Sequence, residues 1–273
     1  MCHRHPKAEA PVSCNRCDRP ICTDCMISAP VGWQCPTCVK GAPVVRNMRD
    51  VRAGGSLTGE RPYVTFGLIG VAVAGFLLQN ADPTIGSRYA ISAFGIANGR
   101  LEQLVTAGFL HAGLIHLLFN MLLLFQLGGS LEARLGRLRF GALFFAGLLG
   151  GAIGELLLER PDVAALGASG AVFALMGAIV VLPRRSRFGI EGSVGGLLVI
   201  NLVITFLIPG IAIGGHLGGL AVGLLVGLVL RLLGDRDDQA RVAAGAGFAI
   251  ALTVALALAA SPVADWAIQR RLG

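Results

Sequence analysis

The sequence predicts an all-α polytopic membrane protein that begins with a small cysteine-rich unit. Of its 273 residues, 54% are hydrophobic and only 14% are charged, and the mean hydropathy is +0.71. A water-soluble globular protein of this length is not expected to have these values. All seven cysteines lie between Cys2 and Cys38. We therefore divide the chain into a module at 1–40, a linker at 41–61 and a membrane part from residue 62 onwards.

The module carries four pairs of soft metal ligands, each pair separated by two residues. This spacing indicates two closed tetrahedral zinc sites. A disulfide framework is the alternative, but the odd number of cysteines and the lack of a preceding signal peptide favour a reducing compartment. We expect the first pair to share an ion with the third and the second with the fourth; sequential pairing is the alternative. The predicted ligands are Cys2, His5, Cys14, Cys17, Cys22, Cys25, Cys35 and Cys38.

The module resembles B-box-like zinc units, although it lacks the closing histidine pairs of a typical B-box. Closed tetrahedral sites leave no open position for a substrate. The two zinc ions are therefore expected to be structural, and the module is expected to dock a cytoplasmic protein or to regulate the rest of the chain.

Basic residues occur in short clusters between apolar segments. The net charge is +7, but the sequence has no basic surface interleaved with aromatic residues, so nucleic-acid binding is not expected. By the positive-inside rule, the clusters place the N-terminus in the cytoplasm and the C-terminus outside the cell membrane. Arg270 and Arg271 do not fit this orientation. The clusters that do fit lie at residues 46–61, 134–139, 184–187 and 231–241.

Seven apolar segments are long enough to cross a hydrocarbon core of about 30 Å. Segments two, four and six run in the same direction in the predicted topology. Polar residues occur near the start of each of these three. The predicted segments are 64–80, 113–130, 138–158, 168–183, 194–209, 214–233 and 242–260.

These polar residues predict one shared site within the membrane. His116 and Asn120 lie one turn apart in segment two, Ser169 begins segment four, and His216 lies in the first turn of segment six. An imidazole or an amide is costly in hydrocarbon unless it faces the bundle interior and finds a partner there. Glycines at every fourth position from Gly215 allow close helix packing, which brings His216 towards Ser169.

A serine beside an imidazole in a dry site is a minimal activated nucleophile. His216 would take the proton from Ser169 as the hydroxyl attacks a carbonyl, without a metal or other cofactor. The amide of Asn120, an N–H of His116 and backbone N–H groups would stabilise the oxyanion, and Gly167 would let the backbone approach the substrate. None of the carboxylates adjacent to the membrane is expected inside a segment near the site, so we expect a Ser–His dyad. These carboxylates are Glu102, Glu132, Glu155, Glu159 and Asp162.

The motifs that carry these residues resemble those of the rhomboid intramembrane serine proteases. They are His-x4-His-x3-Asn at 111–120, Gly-Gly-Ser-Leu-Glu-Ala-Arg at 128–134, Gly-Ala-Ser-Gly at 167–170 and Gly-His-Leu-Gly-Gly at 215–219. The resemblance covers about residues 61–233. It implies a six-helix core at 62–233 with an added seventh helix at 234–273, Ser169 as nucleophile and His216 as base. It also implies oxyanion roles for His116, Asn120 and Gly167.

Three positions differ from that family's pattern. Phe173 stands where the family often carries a tyrosine under the catalytic imidazole. Glu102 and Gln103 stand where a Trp-Arg pair is usual in the first outer loop. His111 is expected to anchor the same loop by hydrogen bonding rather than to take part in catalysis.

Two other functions are compatible with parts of the sequence. A protein that binds transmembrane helices without cutting them would be indicated by loss of Ser169 or His216, and both are present. A metal-handling bundle would need more ligands than His116 and His216 supply. The expected substrates are transmembrane proteins in the surrounding lipid bilayer whose outer-leaflet ends carry helix-breaking or small residues.

Overall fold

The structure is a computed structural model, and it describes residues 1–29, 32–40, 61–183, 190–234 and 238–272. The chain divides into two compact units, with the boundary between Ala53 and Gly54. The predicted linker lies outside the described residues except for Arg61. The basic cluster at 184–187 and Arg236 also lie outside them.

The N-terminal unit consists of two small hairpins and a short helix. Strands β1 (Val12–Ser13) and β2 (Pro20–Ile21) pair antiparallel, as do β3 (Ile27–Ala29) and β4 (Gly32–Gln34), and α1 spans Pro36–Lys40. Among the described residues, the buried cluster consists of Ile21 and five cysteines. So small an apolar core cannot stabilise a fold of this size without cross-links or metal.

In its described residues, the second unit is built of helices joined by loops, with one isolated β-bridge between Ile91 and Ala165. Helix α2 is followed by three short helices, α3 to α5, and α6 continues through a π-helical turn at Leu124–Gly128 into α7. The bounds are α2 Tyr63–Ala81, α3 Pro83–Tyr89, α4 Ala93–Ala97, α5 Gln103–Thr106, α6 Leu114–Leu123, α7 Gly129–Leu135, α8 Arg137–Leu158, α9 Ser169–Val181, α10 Ile190–Leu207, α11 Ile213–Leu233 and α12 Gln239–Leu272.

The predicted all-α membrane class is confirmed. Within the described residues, five helical segments are long and apolar enough to cross a membrane, namely α2, α6 with α7, α8, α11 and α12. Segments four and five of the prediction are shorter apolar helices, Ser169–Val181 and Ser193–Leu207. The last helix is longer than predicted, because it continues past Pro262 to Leu272.

Helices α8, α9 and α11 pack backbone against backbone. A methyl group added at Gly154 of α8 would overlap the carbonyl of Gly214 on α11, and one at Gly219 would overlap the carbonyl of Gly170 on α9. In lipid, close packing of this kind supplies the association energy that the hydrophobic effect supplies in water. These contacts bring the first turns of α9 and α11 together.

A buried carboxylate holds the start of α2. Glu132 of α7 is only 4% exposed, and it accepts hydrogen bonds from the backbone N–H of Val64 (3.0 Å), from that of Thr65 (2.8 Å) and from the Thr65 hydroxyl (2.8 Å). The first N–H groups of a helix have no hydrogen-bond partner within the helix, and a negative charge near them also interacts favourably with the helix dipole. Glu132 thereby ties α7 to α2.

We expect Glu132→Ala to lower the free energy of unfolding by about 2–4 kcal/mol, because it leaves buried backbone donors without a charged acceptor. Denaturation of the purified protein in detergent would measure this loss. The matched control is Glu102→Ala, since Glu102 is exposed and pairs only loosely with Arg100 at 3.6 Å. Equal stability of the two variants would contradict the role of Glu132.

Candidate catalytic site and metal-binding module

Ser169 is the first residue of α9, and the loop before it is held in place by backbone hydrogen bonds. Ile91 and Ala165 exchange two hydrogen bonds of 2.9 Å as an isolated antiparallel bridge, and the N–H of Gly167 donates to the carbonyl of Ala107 (2.9 Å). Gly167 has a φ of +135°, which a residue with a side chain rarely adopts. The loop is thus fixed immediately before the hydroxyl.

The ring of His216 lies on the face of α9 that carries Ser169. It stacks on Phe173 with ring centroids 4.2 Å apart and planes 18° apart. Phe173 follows Ser169 by four residues, and side chains at this spacing share one face of a helix. The aromatic ring therefore occupies the place under the imidazole that the resemblance implies.

Thr205 contacts the edge of the His216 ring at Nδ1, and it was not among the residues predicted from the sequence. The Oγ1 of Thr205 lies 2.6 Å from the Nδ1 of His216 and 2.7 Å from the backbone carbonyl of Asn201, one turn earlier in α10. The Thr205 side chain is 1% exposed. No motif marks this threonine, and its proximity to His216 follows only from the packing of α10 on α11.

His116 lies directly over Gly167. A Cβ at Gly167 would be 2.7 Å from Cε1 of the His116 ring, so the imidazole is packed against the loop that precedes Ser169. The Nδ1 of His116 accepts a hydrogen bond from the backbone N–H of Ala112 (3.4 Å). That bond favours the tautomer with the proton on Nε2, the nitrogen that lies nearer to Gly167.

Asn120 is buried one turn after His116. Its Nδ2 donates to the backbone carbonyl of His116 at 2.9 Å, and the residue is 5% exposed. Because an amide has two N–H groups, this bond occupies one donor and fixes the direction of the second. The same bond is also what a purely structural asparagine in a membrane helix would make.

His111 is anchored through its backbone. Its N–H donates to the side-chain oxygen of Gln79 (2.9 Å), and its carbonyl accepts from the Gln79 amide. Its ring is fully buried and meets the ring of His116 edge to face at 5.1 Å. Neither ring nitrogen has a hydrogen-bond partner among the described residues, so the expected hydrogen-bonded anchor is made by the main chain instead.

Gln103, one of the two residues that stand in place of the usual Trp-Arg pair, forms buried hydrogen bonds in the first outer loop. It is 1% exposed, its Nε2 donates to the carbonyl of Arg88 (3.0 Å), and its Oε1 accepts from the backbone N–H of Ser92 (3.4 Å). Glu102 stays exposed and pairs with Arg100. The buried amide therefore joins α5 to the end of α3 and to the segment that follows it.

A cavity of about 50 Å³ opens beside Ser169 and contains a carboxylate in its wall. The sequence analysis expected no acidic group near this site, and for Glu155 that expectation is wrong. Glu155 is 5% exposed on α8, and its carboxylate lies against Gly215 at the start of α11. The glycine contacts between α8 and α11 bring it there. One turn later, Glu159 accepts from the N–H of Gly214 (3.1 Å).

The N-terminal unit brings its eight predicted ligands into two groups of four. Cys2, His5, Cys22 and Cys25 form one group, and Cys14, Cys17, Cys35 and Cys38 form the other. Within each group all donor atoms lie within 4.8 Å of one another. This is the interleaved pairing.

The spacing of the donors fits a tetrahedral ion. The sulfurs of Cys17 and Cys35 are 3.8 Å apart, and Nδ1 of His5 lies 3.3 Å and 3.4 Å from the sulfurs of Cys22 and Cys25. Zinc with bonds of roughly 2.3 Å to sulfur sets its ligands about 3.8 Å apart. Four soft donors without a carboxylate are the set that structural zinc prefers.

Backbone N–H groups favour the thiolate form of two of these cysteines. Burial raises the pKa of Cys14, but hydrogen bonds from backbone N–H groups lower it by more, so that the pKa is about 6. One of these donors is the N–H of Cys35, which lies 3.2 Å from the Cys14 sulfur. The same balance of burial and backbone hydrogen bonds lowers the pKa of Cys2 to about 6. Since the thiolate is the form that binds a metal, each group contains at least one cysteine whose surroundings favour that form.

Comparison with known proteins agrees with this geometry. The family model of the Rhomboid domain matches residues 98–233. The rhomboid protein YdcA of Bacillus subtilis (strain 168) is 36% identical over 151 residues, which cover 54% of this chain and 72% of YdcA. RHOMBOID-like protein 5 of Arabidopsis thaliana is 34% identical over 105 residues, 38% of this chain and 34% of that protein. The rhomboid protease GluP of Bacillus subtilis is 31% identical over 150 residues, 53% of this chain.

The chain spans 29% of the length of GluP and about a third of the Arabidopsis protein, so these two relatives are much longer than the matched region. The family match includes Ser169, His216, His116 and Asn120. The glycine-rich contacts of α8, α9 and α11, the serine at the start of α9 and the imidazole stacked on Phe173 all lie within this region. The chain therefore belongs to the rhomboid family of intramembrane serine proteases.

Proposed function

We propose that the chain cleaves transmembrane segments of membrane proteins, with Ser169 as nucleophile and His216 as general base. In the acylation step the Ser169 oxygen attacks the scissile carbonyl carbon while His216 takes the hydroxyl proton. The imidazolium then gives this proton to the leaving amine. In the second step His216 takes a proton from water, the water oxygen attacks the ester carbonyl, and the Ser169 oxygen leaves with the proton from the imidazolium, which releases the carboxylic acid product. The stack of His216 on Phe173 carries this proposal, because it holds the base on the face of α9 that bears Ser169.

The oxyanion of the tetrahedral intermediate would be held by N–H donors around Gly167. The Nε2–H of His116 is one such donor, since its Nδ1 already accepts from Ala112. The free N–H of Asn120 and the backbone N–H of Ser169 at the start of α9 are the others. Fixed donors in a site with little water stabilise a developing negative charge without reorganising.

The substrate class follows from the position of the site in an apolar bundle. A transmembrane helix has its carbonyls hydrogen-bonded, so attack requires a segment that unwinds easily. We therefore expect single-span substrates with glycine, proline or other small residues at the end that reaches Ser169.

We propose that the two groups of the N-terminal unit hold structural zinc ions. One ion would bind Cys2, His5, Cys22 and Cys25, and the other would bind Cys14, Cys17, Cys35 and Cys38, as the donor spacing supports. Zinc supplies folding free energy in such units and no chemistry, because all four positions are filled. The unit would then act at residues 1–40 as a cytoplasmic docking or regulatory module.

We infer that the chain lies in the cell membrane with its N-terminus in the cytoplasm and its C-terminus outside. The two arginines at the C-terminus opposed this orientation in the sequence. In the structure Arg271 donates to the carbonyls of Leu158 (2.7 Å) and Leu157 (3.5 Å) at the end of α8, and Arg270 lies over the Trp266 ring at 5.0 Å. Both cations thus have partners within the chain, which is compatible with the inferred orientation.

Ser169→Ala and His216→Ala should each abolish cleavage of a model transmembrane substrate, while expression and membrane insertion stay normal. The double variant should be hardly worse than either single one, because the two groups act in one step. Initial rates in proteoliposomes would measure this. Ser87→Ala removes an exposed hydroxyl on α3 and is the control. Unchanged cleavage by Ser169→Ala would refute the proposed nucleophile. Binding of the substrate without cleavage by the unmodified protein would favour a protein that binds helices without cutting them.

His116→Ala should lower kcat by roughly tenfold to a thousandfold with little change in KM, as expected for a donor to the oxyanion. Asn120→Ala should act in the same direction. Asn80→Ala is the matched control, because Asn80 on α2 also donates to the carbonyl one turn earlier (2.7 Å). A fall in thermal stability with normal kcat per folded molecule would assign Asn120 a structural role only.

The purified chain should contain two zinc ions, and His5→Ala should lose at least one of them because it removes a ligand. Elemental analysis of the protein in detergent would measure the ratio. His3→Ala is the control, since His3 belongs to neither group of ligands. Cleavage should persist after residues 1–40 are deleted; its loss in a well-inserted truncation would contradict the separation of the two roles.

A further inference from the structure

We propose that Thr205 is a positioning residue for His216, and that its hydroxyl selects the tautomer in which Nε2 of the imidazole is the free base. The proposal deepens the proposed function and depends on it, since it concerns the same dyad. It rests on the buried contact between Oγ1 of Thr205 and Nδ1 of His216 at 2.6 Å.

The assignment follows from counting protons. A threonine hydroxyl has one proton and two lone pairs. The backbone carbonyl of Asn201 can only accept, and it lies 2.7 Å from Oγ1, so the Thr205 proton points to it. This is the usual bond of a threonine to its own helix. Oγ1 is then an acceptor towards His216, and Nδ1 must carry the hydrogen that fills the 2.6 Å contact.

The tautomer decides whether His216 can work as a base. A neutral imidazole has one protonated and one unprotonated nitrogen, so a proton on Nδ1 leaves the lone pair on Nε2. Proton transfer from Ser169 to Nε2 then creates an imidazolium whose Nδ1–H is already bonded. A hydrogen bond from a charged donor is stronger than one from a neutral donor, so the contact with Thr205 strengthens as the reaction proceeds.

No other group among the described residues supplies this bond. Neither Glu155 nor Glu159 forms an ion pair with His216, although both lie near the start of α11, and the ring face is covered by Phe173. Thr205 thus takes the place in space that an aspartate takes in a serine protease triad, but it is neutral and costs little to bury in a membrane bundle.

Thr205→Val tests the proposal, because valine keeps the branched shape and removes the hydroxyl. We expect kcat to fall about tenfold to a hundredfold with KM nearly unchanged, since the variant leaves Nδ1–H without an acceptor and favours the wrong tautomer. Thr205→Ser should restore most of the rate. The control is Thr253→Val on α12, which removes a hydroxyl bonded in the same way to the carbonyl of Ala249 (2.8 Å).

Nitrogen NMR of histidine-labelled protein in detergent gives a second measurement that does not depend on activity. His216→Ala identifies the signals of this ring. In the unmodified protein Nδ1 should have the shift of a protonated nitrogen and Nε2 that of an unprotonated one, and Thr205→Val should move the ring towards the opposite tautomer. A protonated Nε2 in the neutral ring of the unmodified protein would overturn the proposal.

The outcomes separate this inference from the proposed function. If Ser169→Ala is inactive while Thr205→Val retains full kcat, the dyad stands and the role of Thr205 is refuted. If Thr205→Val and Thr205→Ser lose stability and kcat equally, the threonine is only a packing residue, and the proposal is again refuted. Active Ser169→Ala would refute the dyad itself, and the NMR shifts would still decide the tautomer.

Discussion

Close backbone contact among α8, α9 and α11 is the constraint on which the site depends. Gly154 faces Gly214, and Gly170 faces Gly219, with no room for a methyl group at either contact. A single added side chain there would push the starts of α9 and α11 apart. Reacting groups displaced by about 1 Å can lose two orders of magnitude in rate. The glycines therefore matter because they set the distance between the starts of α9 and α11, although they take no part in the chemistry themselves.

The same bundle must satisfy polar groups in an apolar setting, and it does so mainly with its own backbone. His116 accepts from Ala112, Asn120 donates to a carbonyl of its own helix, and Thr205 bonds both its helix and His216. Bonds of this kind orient rings and amides without introducing charges that would be costly to bury. A neutral set of partners is a consistent solution for a hydrolytic site surrounded by lipid.

The features of this arrangement that depend on local sequence motifs could be predicted from the sequence. The all-α class, the paired metal ligands and the ring of Phe173 under His216 agree with the structure, because each depends on spacing along the chain. Thr205 and Glu155 could not be found in this way. Their neighbours come from other helices, and only the packing of α10 and α8 against α11 brings them to the site. Counting charges along the sequence also could not predict the contacts of Arg271, which donates to carbonyls at the end of α8.

The interleaved ligand groups of the N-terminal unit determine how it assembles. Each group of four joins an early pair of residues to a late one, and the loop between Cys2 and Cys25 overlaps the loop between Cys14 and Cys38. Closing one of these loops shortens the free chain between the ligands of the other group. It therefore reduces the entropy cost of closing the other loop. If both groups bind zinc as proposed, binding of the two ions would therefore be cooperative: chains with one ion would be scarce, and a limited supply of metal would yield a mixture of complete and unfolded modules.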